Sequence, residues 1–214
     1  MTEDPGHDQG DAPSGGSRGG RPRDPALDES IIEATRRRLV LDGYSAMSLA
    51  EVAADAGVSR PTIYRRWANK LELTIDALDW GFRRQQDSYP AEPLETMPPR
   101  DALTEAVRRV DPCYYNPDAM VLMGNFMGET IRTPELLAHV KAHAVEPRVR
   151  LVENTLAALQ ERGAIHADVD RHTVATLCFG AFYAALLRDE HDPKQLAEDV
   201  VATLWPALEV QTRV

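Results

Sequence analysis

The stretch GVSRPTIYRRW, residues 57–67, concentrates basic and aromatic side chains in a chain that is acidic overall. Residues 56–71 include four basic residues and no acidic one, whereas the 214-residue chain holds 34 Asp and Glu against 24 Lys and Arg, a formal net charge of −10. Because that charge repels phosphate at a distance, any contact with nucleic acid must be local. Arginine can read guanine edges with paired hydrogen bonds, and hydroxyl groups can bond to bases or phosphates. The stretch therefore indicates a local DNA-binding surface.

Two short helices joined by a glycine turn are predicted to carry this surface. Ser48 and Glu51 have the spacing of a capping box, which opens a helix. Gly57 can adopt the left-handed conformation that ends it, and Ser59 then caps a second helix that we expect to run to about Trp67. A short helix, a turn and a second short helix form the helix-turn-helix layout.

The second helix is expected to present a basic face to DNA. Candidate contacts on that face are Arg60, Thr62, Tyr64 and Arg65. Asn69 and Glu72 repeat the capping-box spacing and predict a further helix that starts at Lys70, where backbone N–H groups favour a phosphate. The alternative is that RRW is a solvated helix end whose tryptophan lies in the core, as charge runs usually are. The agreement between the caps, the turn glycine and the missing acids favours DNA binding.

Two segments resemble the DNA-binding domain of the TetR family of bacterial transcription regulators: SLAEVAADAGVSRPTIYRRWANKLELTIDAL and, before it, IIEATRRRLVLDGYSAMSL. The likeness covers roughly residues 26–80. It consists of a first helix that ends in a Gly-Tyr turn, the sequence AGVS, a TIY helix that ends in an aromatic residue, and a lysine that opens helix four. Val52 replaces the usual isoleucine and Trp67 the common phenylalanine. The resemblance implies DNA contacts from the four candidates above and from Lys70, with Ser48 at a phosphate.

The whole chain is predicted to be all-α, because apolar residues recur at helical spacing and no sustained strand-type alternation occurs. Residues 1–24 are rich in Gly, Pro, Asp and Ser and predict a disordered tail. Its arginines, Arg18, Arg21 and Arg23, resemble basic arms that some relatives place in the minor groove, and an inert tail is the alternative. Residues 25–88 are assigned to a three-helix helix-turn-helix domain plus the start of helix four, and residues 89–214 to a helical ligand-binding and dimerisation domain. Helix starts are also predicted where a capping side chain precedes proline, at Asp24-Pro25, Asn116-Pro117, Thr133-Pro134 and Asp192-Pro193.

The last two predicted helices carry more apolar surface than one chain can cover. Residues 171–188 are apolar on nearly every face, and the helix after Asp192 has a broad apolar face. We expect a second copy of the chain to cover that surface. The result is a homodimer through the last two helices, which the family resemblance also implies. Two-fold symmetry then places two recognition helices about 34 Å apart, one turn of DNA, so we expect a palindromic operator.

The methionine-rich segment NPDAMVLMGNFMGETIR is predicted to line a cavity for a partly apolar small molecule, because methionine adapts to irregular apolar partners. Ordinary core is the alternative for each methionine. Asn125 is polar inside this run. If it is buried, it needs a partner such as a ligand group, and the alternative is that it faces solvent. The candidate ligand contacts are Trp80, Met120, Met123, Asn125, Phe126 and Met127, with Phe82 near the same cavity. By analogy with the family, a ligand that moves helix four would change the spacing of the recognition helices and release DNA, as in a ligand-released repressor.

Other classes of function find less support. Cys113 and Cys178 lie far apart without metal or disulfide spacing, which fits a reduced, cytoplasmic setting, and the longest nearly apolar stretch, Val174–Leu187, is too short to cross a bilayer. No nucleophile elbow, phosphate-binding loop or dinucleotide fingerprint occurs, so we expect neither an enzyme nor a cofactor. The alternative to a regulator is a helical binding or structural protein in which the basic helix is incidental.

Two histidine groups have partial metal-ligand spacing. His139 and His143 are four residues apart on a predicted helix. The sequence HADVDRH gathers His166, Asp168, Asp170 and His172. Neither group forms a complete ligand set, so no metal is expected.

Overall fold

The computed structural model describes residues 24–90, 93–114, 116–188 and 192–210, and these form the all-α fold that the sequence predicts. The helices in chain order are α1 (Pro25–Leu41), α2 (Gly43–Ala46), α3 (Leu49–Asp55), α4 (Arg60–Tyr64), α5 (Lys70–Asp87), α6 (Pro99–Val110), α7 (Ala119–Gly128), α8 (Pro134–Val140), α9 (Glu146–Glu161), α10 (Arg171–Leu187) and α11 (Pro193–Leu208). A 3-10 turn at Leu94–Thr96 precedes α6. Within the described ranges, extended pairing is limited to one bridge between Ile165 and Glu209. The predicted disordered tail and its arginines lie, except for Asp24, outside the described residues.

The first hydrophobic core joins the DNA-binding helices to α7 and α8. From α1 to α5 its buried side chains include Ile31, Leu39, Val52, Ile63, Trp67 and Leu73. From α7 and α8 they are Leu122, Phe126, Leu136 and Val140. Full burial of one such side chain is worth about 1.5–3 kcal/mol, so α7 and α8 are integral to this core. α7 and α8 follow residue 88 in sequence and still pack into this core, and the domain boundary between residues 88 and 89 stays a prediction.

The second core is formed by α6, α9, α10 and α11. Its buried side chains include Leu103, Val107, Val152, Leu156, Phe182 and Val201. The end of α5 reaches this half of the molecule through Gln85, whose side-chain amide donates to Asp111 O, just after α6, at 3.4 Å. α5 therefore runs from the DNA-binding helices to the edge of the second core.

Three of the four predicted proline-associated helix starts are confirmed. They are Pro25 in α1, Pro134 in α8 and Pro193 in α11. The start predicted at Asn116-Pro117 is wrong, because α7 begins only at Ala119. The Asn116 side chain accepts a hydrogen bond from Asp118 N at 3.2 Å, which makes a local turn before the helix.

Pro147 predicts a kink or a break near Glu146, because proline removes a backbone donor and crowds the preceding turn. The structure shows a continuous but irregular run: α8 ends at Val140, a π-helical turn spans Lys141–Val145, and α9 begins at Glu146. Pro147 thus lies in the first turn of α9. Proline has no backbone N–H to donate, and the wider π-helical turn before it accommodates the loss of that bond.

Gly57→Ala should lower the free energy of unfolding by about 1–2 kcal/mol, since Gly57 has a φ of +66°, where an L-residue is strained. A Cβ atom there would meet nothing within 4 Å, so the cost comes from the backbone alone. Gly124→Ala is the matched control: Gly124 lies inside α7, is equally free of neighbours, and should gain up to about 1 kcal/mol from better helix propensity. Urea denaturation at one protein concentration measures the free energy of unfolding of both variants. A change in the same direction for both substitutions would contradict the backbone strain assigned to position 57.

Candidate DNA-binding surface and internal cavity

The turn between α3 and α4 is closed by backbone bonds that a glycine makes possible. Gly57 N donates to Ala54 O at 3.1 Å, and Val58 N donates to Ala53 O at 2.9 Å. This pair of bonds closes a helix that ends in a left-handed residue. The predicted glycine turn is confirmed, and it fixes the direction in which α4 leaves α3.

Ser48 caps α3, as predicted, but the capping box is only half formed. Its Oγ accepts a hydrogen bond from Ala50 N at 3.2 Å. The Glu51 carboxylate is instead directed to Arg38 of α1, at 3.7 Å. Arg38 also donates to both carboxylate oxygens of Asp55, at 2.7 and 3.0 Å, and these bonds hold the pKa of that carboxyl below its ordinary value. Charged side chains therefore fix α3 to α1.

α4 exposes the face that the sequence assigns to DNA. Arg60 and Tyr64 are exposed and four residues apart, so they lie on one side of the helix. Thr62 is partly buried, and its hydroxyl accepts a hydrogen bond from Arg65 Nη2 at 3.1 Å and lies 2.9 Å from Ser59 Oγ. Arg65 is thus held in place by α4 while its side chain stays exposed.

The other two members of the RRW cluster connect α4 to its neighbours. Arg66 is mostly buried and forms an ion pair with Asp28 of α1. Trp67 is buried in the first core, and its indole N–H donates to Asp76 of α5 at 2.9 Å. Trp67 therefore lies in the core, as the alternative interpretation expects, whereas Arg66 is held in an ion pair and does not form a solvated helix end. The exposed residues of α4 are left as candidate DNA contacts.

Lys70 opens α5, as predicted, and its side chain holds the end of α2. Nζ donates to the backbone oxygens of Tyr44 at 2.7 Å, Ser45 at 3.3 Å and Met47 at 3.1 Å. The ammonium also lies 4.5 Å from the centre of the Tyr44 ring, and burial lowers the pKa of Lys70. All three ammonium hydrogens thus have partners in the free protein. A phosphate contact from Lys70 stays a prediction, and it requires the side chain to release a carbonyl.

Two polar side chains attach α7 to the ends of α1 and α2. Asn125 Nδ2 donates to Leu39 O at 2.9 Å and to Val40 O at 3.3 Å. Glu129, buried just after α7, accepts a hydrogen bond from Ser45 Oγ at 2.8 Å. We call these contacts of Asn125 and Glu129 the α7 clamp. The clamp attaches the methionine-rich helix directly to the DNA-binding helices.

A cavity of about 50 Å³ lies between α5, α7, α9 and α10. Its apolar lining includes Leu78, Phe82, Leu122, Met123, Phe126 and Phe179. Its polar lining consists of Arg36, Gln85, Asn116, Arg148 and Tyr183, and no acidic side chain lines it among the described residues. Burial raises the pKa of Tyr183. A largely apolar cavity with a few polar groups is typical of a small-molecule site.

Two of the six candidate ligand contacts, Met123 and Phe126, line this cavity, and so does Phe82. Met127 does not, and its side chain is 60% exposed. Met120 is partly buried outside the lining. A ligand contact from either of these two methionines stays a prediction that the position of the cavity does not support. Helical periodicity could not tell which face of α7 lines the cavity.

Trp80 and Asn125 also lie outside the lining of the cavity and contact α1, so a ligand contact from either stays a prediction. Asn125 belongs to the α7 clamp. Trp80 lies in a neighbouring recess, with the guanidinium carbons of Arg36 and Arg84 at 5.7 and 4.6 Å from its ring centre. Arg36 itself extends into the cavity wall over Gly81, where an added Cβ would overlap with its guanidinium. A side chain of α1 therefore forms part of the cavity.

No sequence pattern indicated the polar lining of the cavity. Arg36, Gln85, Arg148 and Tyr183 come from α1, α5, α9 and α10. No spacing within one helix connects them, so no local pattern could have identified the group.

His139 and His143 are brought together with Asp79 of α5. His139 Nε2 lies 2.7 Å from Asp79 Oδ1, and the two imidazole rings stack with their centres 4.1 Å apart. One possible ligand atom from each of the three residues lies within 4.8 Å of the others. The hydrogen bond and the stacking explain this group without a metal ion. The expectation of no metal stays a prediction, which elemental analysis of the purified protein would measure. In the second histidine group, Asp170 caps α10.

One face of α10 is uncovered in the single chain. Leu177, Gly180, Ala184 and Leu187 are exposed at spacings of three and four residues, so they form one stripe. Leu177 and Leu187 are 55% and 85% exposed. We call these four residues the α10 stripe. Despite it, no helix in the described ranges has the length and apolarity needed to cross a membrane.

Two family models match the chain. The model described as bacterial regulatory proteins, tetR family, matches residues 31–77. The model described as tetracyclin repressor-like, C-terminal domain, matches residues 94–204. The first match covers the helix-turn-helix, and the second covers α6 to α10 and most of α11.

Known proteins agree with these matches. The DNA-binding transcriptional repressor TetR of Mycobacteroides abscessus is 30% identical over 148 residues, which are 68% of this chain and 74% of that protein. YdeS, an uncharacterised HTH-type transcriptional regulator of Bacillus subtilis, is 22% identical over 90% of this chain and 95% of its own length. A transcriptional regulator from Saccharomonospora viridis, crystallised with choline, is 18% identical, superposes with a TM-score of 0.71, and is matched over 88% of this chain and 100% of that chain. These relatives are regulators and not enzymes, and the chain belongs to the TetR family of transcriptional regulators.

Proposed function

We propose that this protein is a cytoplasmic transcriptional repressor whose homodimer binds a palindromic operator and is released from it by a small molecule. The observation that carries the DNA-binding part is the exposed basic face of α4 in an acidic chain whose acids are absent from residues 56–71. An α-helix fits the major groove of DNA. The M. abscessus relative is itself named a repressor, which supports this direction of regulation.

The contacts divide between bases and phosphates according to how each side chain is held. Arg65 is positioned by its bond to Thr62 and remains exposed, so we assign it and Arg60 to base edges. Tyr64 can donate its exposed hydroxyl to a phosphate. Ser48 accepts the capping bond from the backbone and keeps its O–H hydrogen free for a phosphate oxygen.

The α10 stripe supports a dimer through α10 and α11. The four residues of the stripe follow one another at spacings of three and four residues and form a straight seam, and the small Gly180 and Ala184 between the two leucines permit close approach of a second helix. A second copy of the chain related by two-fold symmetry would cover both stripes at once. The same symmetry presents two α4 helices to successive major grooves.

Ligand release is supported by the fact that the cavity shares its walls with the DNA-binding helices. α5 carries Phe82 in the wall and Lys70 at its other end, and α7 carries Phe126 in the wall and Asn125 in the clamp. A ligand that favours another arrangement of α5 and α7 would shift the population away from the DNA-binding spacing. The S. viridis structure holds choline, which shows that a protein of this fold takes a small molecule.

Arg65→Ala should weaken binding to the operator at least tenfold, because a bidentate contact to a base is worth about 1–3 kcal/mol and the proposed dimer would lose two such contacts. Fluorescence anisotropy at two salt concentrations, on duplexes that tile the DNA beside the gene, would locate the operator and measure the loss. Arg132→Ala is the control, since Arg132 is an exposed arginine after α7 and its loss makes the same change in net charge. Equal effects of the two substitutions, or affinity without a steep salt dependence, would favour a helical protein whose basic helix is incidental.

Leu177→Glu should convert the dimer to a monomer and reduce operator affinity, because the dimer would bury an unpaired carboxylate in the α10 seam. Size-exclusion chromatography with light scattering measures the mass. Ile131→Glu is the matched control: Ile131 is 96% exposed but lies after α7. A dimer that survives Leu177→Glu and dissociates in Ile131→Glu would place the interface elsewhere.

A further inference from the structure

Arg148 lies in the first turn of α9 and places a guanidinium in the wall of the cavity. Nη1 donates to Ala144 O at 2.5 Å, and Nη2 donates to Oε1 of Gln85. Nε is buried and has no hydrogen-bond partner. Both partners of this cation are neutral, and a buried donor without a partner is costly. The hydrogen bonds at this site therefore leave one donor of the cation unsatisfied and do not neutralise its charge.

The unpartnered atom belongs to the edge of the guanidinium that recognises oxyanions. A planar carboxylate can bridge Nε and Nη2 with two parallel hydrogen bonds, which are stronger than bonds to a neutral oxygen. In Arg148 one half of that edge has no partner and the other half is bonded to the neutral amide of Gln85. A carboxylate at this edge would satisfy Nε and replace a weaker bond at Nη2.

The rest of the wall supports a negatively charged head with an apolar body. Arg36 and Arg148 line the cavity, and no acidic side chain lines it among the described residues, although the chain has a net charge of −10. Charge interactions are strengthened where water is excluded. Opposite the arginines, the surface is hydrocarbon from residues such as Leu122, Met123 and Phe126.

We propose that the ligand of this cavity is an amphipathic carboxylate, with its head on the Nε–Nη2 edge of Arg148 and its tail against α7. The inference rests on the proposed function in assuming that the cavity binds a ligand, and it names the chemical class of that ligand. A quaternary ammonium, such as the choline in the S. viridis structure, is excluded by the same charges.

Binding at Arg148 would act on α5 through Gln85. Gln85 is buried, and its amide nitrogen donates to Tyr89 Oη at 3.2 Å and to Asp111 O at 3.4 Å. Its oxygen holds Arg148, so this one side chain links α5 to α9. A carboxylate on the Nε–Nη2 edge competes with the Gln85 oxygen for Nη2 and so weakens the link. The head group thereby changes how the far end of α5 is held.

Isothermal titration of the DNA-free protein with octanoate, octan-1-ol and octyltrimethylammonium tests the class of ligand, because the three share one tail. We expect octanoate to bind at least tenfold more tightly than the alcohol and the ammonium not to compete. In Arg148→Met, which keeps an apolar stem of similar length, that preference should disappear while the affinity for octan-1-ol changes less than about twofold. Thermal unfolding and operator binding confirm that the variant is folded, and if it is not, the wild-type comparison alone decides.

Equal affinity of octanoate and octan-1-ol, preference for the ammonium, or an octanoate preference that survives in folded Arg148→Met would each overturn the proposal. So would the failure of octanoate to bind at about 1 mM. Operator release is measured separately, by anisotropy of the DNA complex with and without octanoate. Tight, Arg148-dependent binding without release would uphold the ligand class and count against ligand-controlled release. Release by another compound, with octanoate inert, would overturn the ligand class alone.

Discussion

The position of the recognition helix depends on its attachment to the first turns of α5. The Trp67 indole is buried and bonded to Asp76, and the Lys70 ammonium is bonded to three carbonyl oxygens at the end of α2. α5 has 18 residues and so extends about 27 Å, with Gln85 near its far end in the cavity wall. A regular helix of this length moves nearly as a rigid body, so a displacement beside Gln85 is transmitted to α4.

α7 provides a second route between the same two places. Phe126 faces the cavity, while Asn125, the residue before it, bonds to the last carbonyls of α1. Adjacent residues on a helix point about a quarter-turn apart, so one short helix can serve both surfaces. Phe126 is also part of the first core, which includes residues of the DNA-binding helices. The apolar wall that α7 contributes to the cavity therefore belongs to the same packing as those helices. A ligand there contacts the packing that positions α1 and α5.

Most local signals predicted the structure, the helix start at Asn116-Pro117 being an exception, whereas long-range partners could not be predicted. Gly57 has the predicted left-handed conformation, and Asn69 caps α5 by accepting from Glu72 N at 2.9 Å. Each of these features is decided by residues within a few positions of one another. By contrast, Asn125 finds its partner 86 residues away at the end of α1, and Arg148 finds Gln85 across 63 residues. Residue type shows that such groups need partners, but only the fold determines which partners they have.

The cavity and the proposed DNA-binding surface both favour an anion, although the chain as a whole is acidic. Each holds arginine where the described acids are absent, so each favours an anion locally against a net charge of −10. At α4 the arginines are exposed, and their effect on a phosphate is weakened by water and salt. Arg148 is partly buried beside apolar walls, where one charge-assisted pair of bonds has more effect than in water. A single small anion inside the cavity can therefore oppose several exposed contacts to DNA, provided that it binds the DNA-releasing arrangement more tightly than the DNA-binding one.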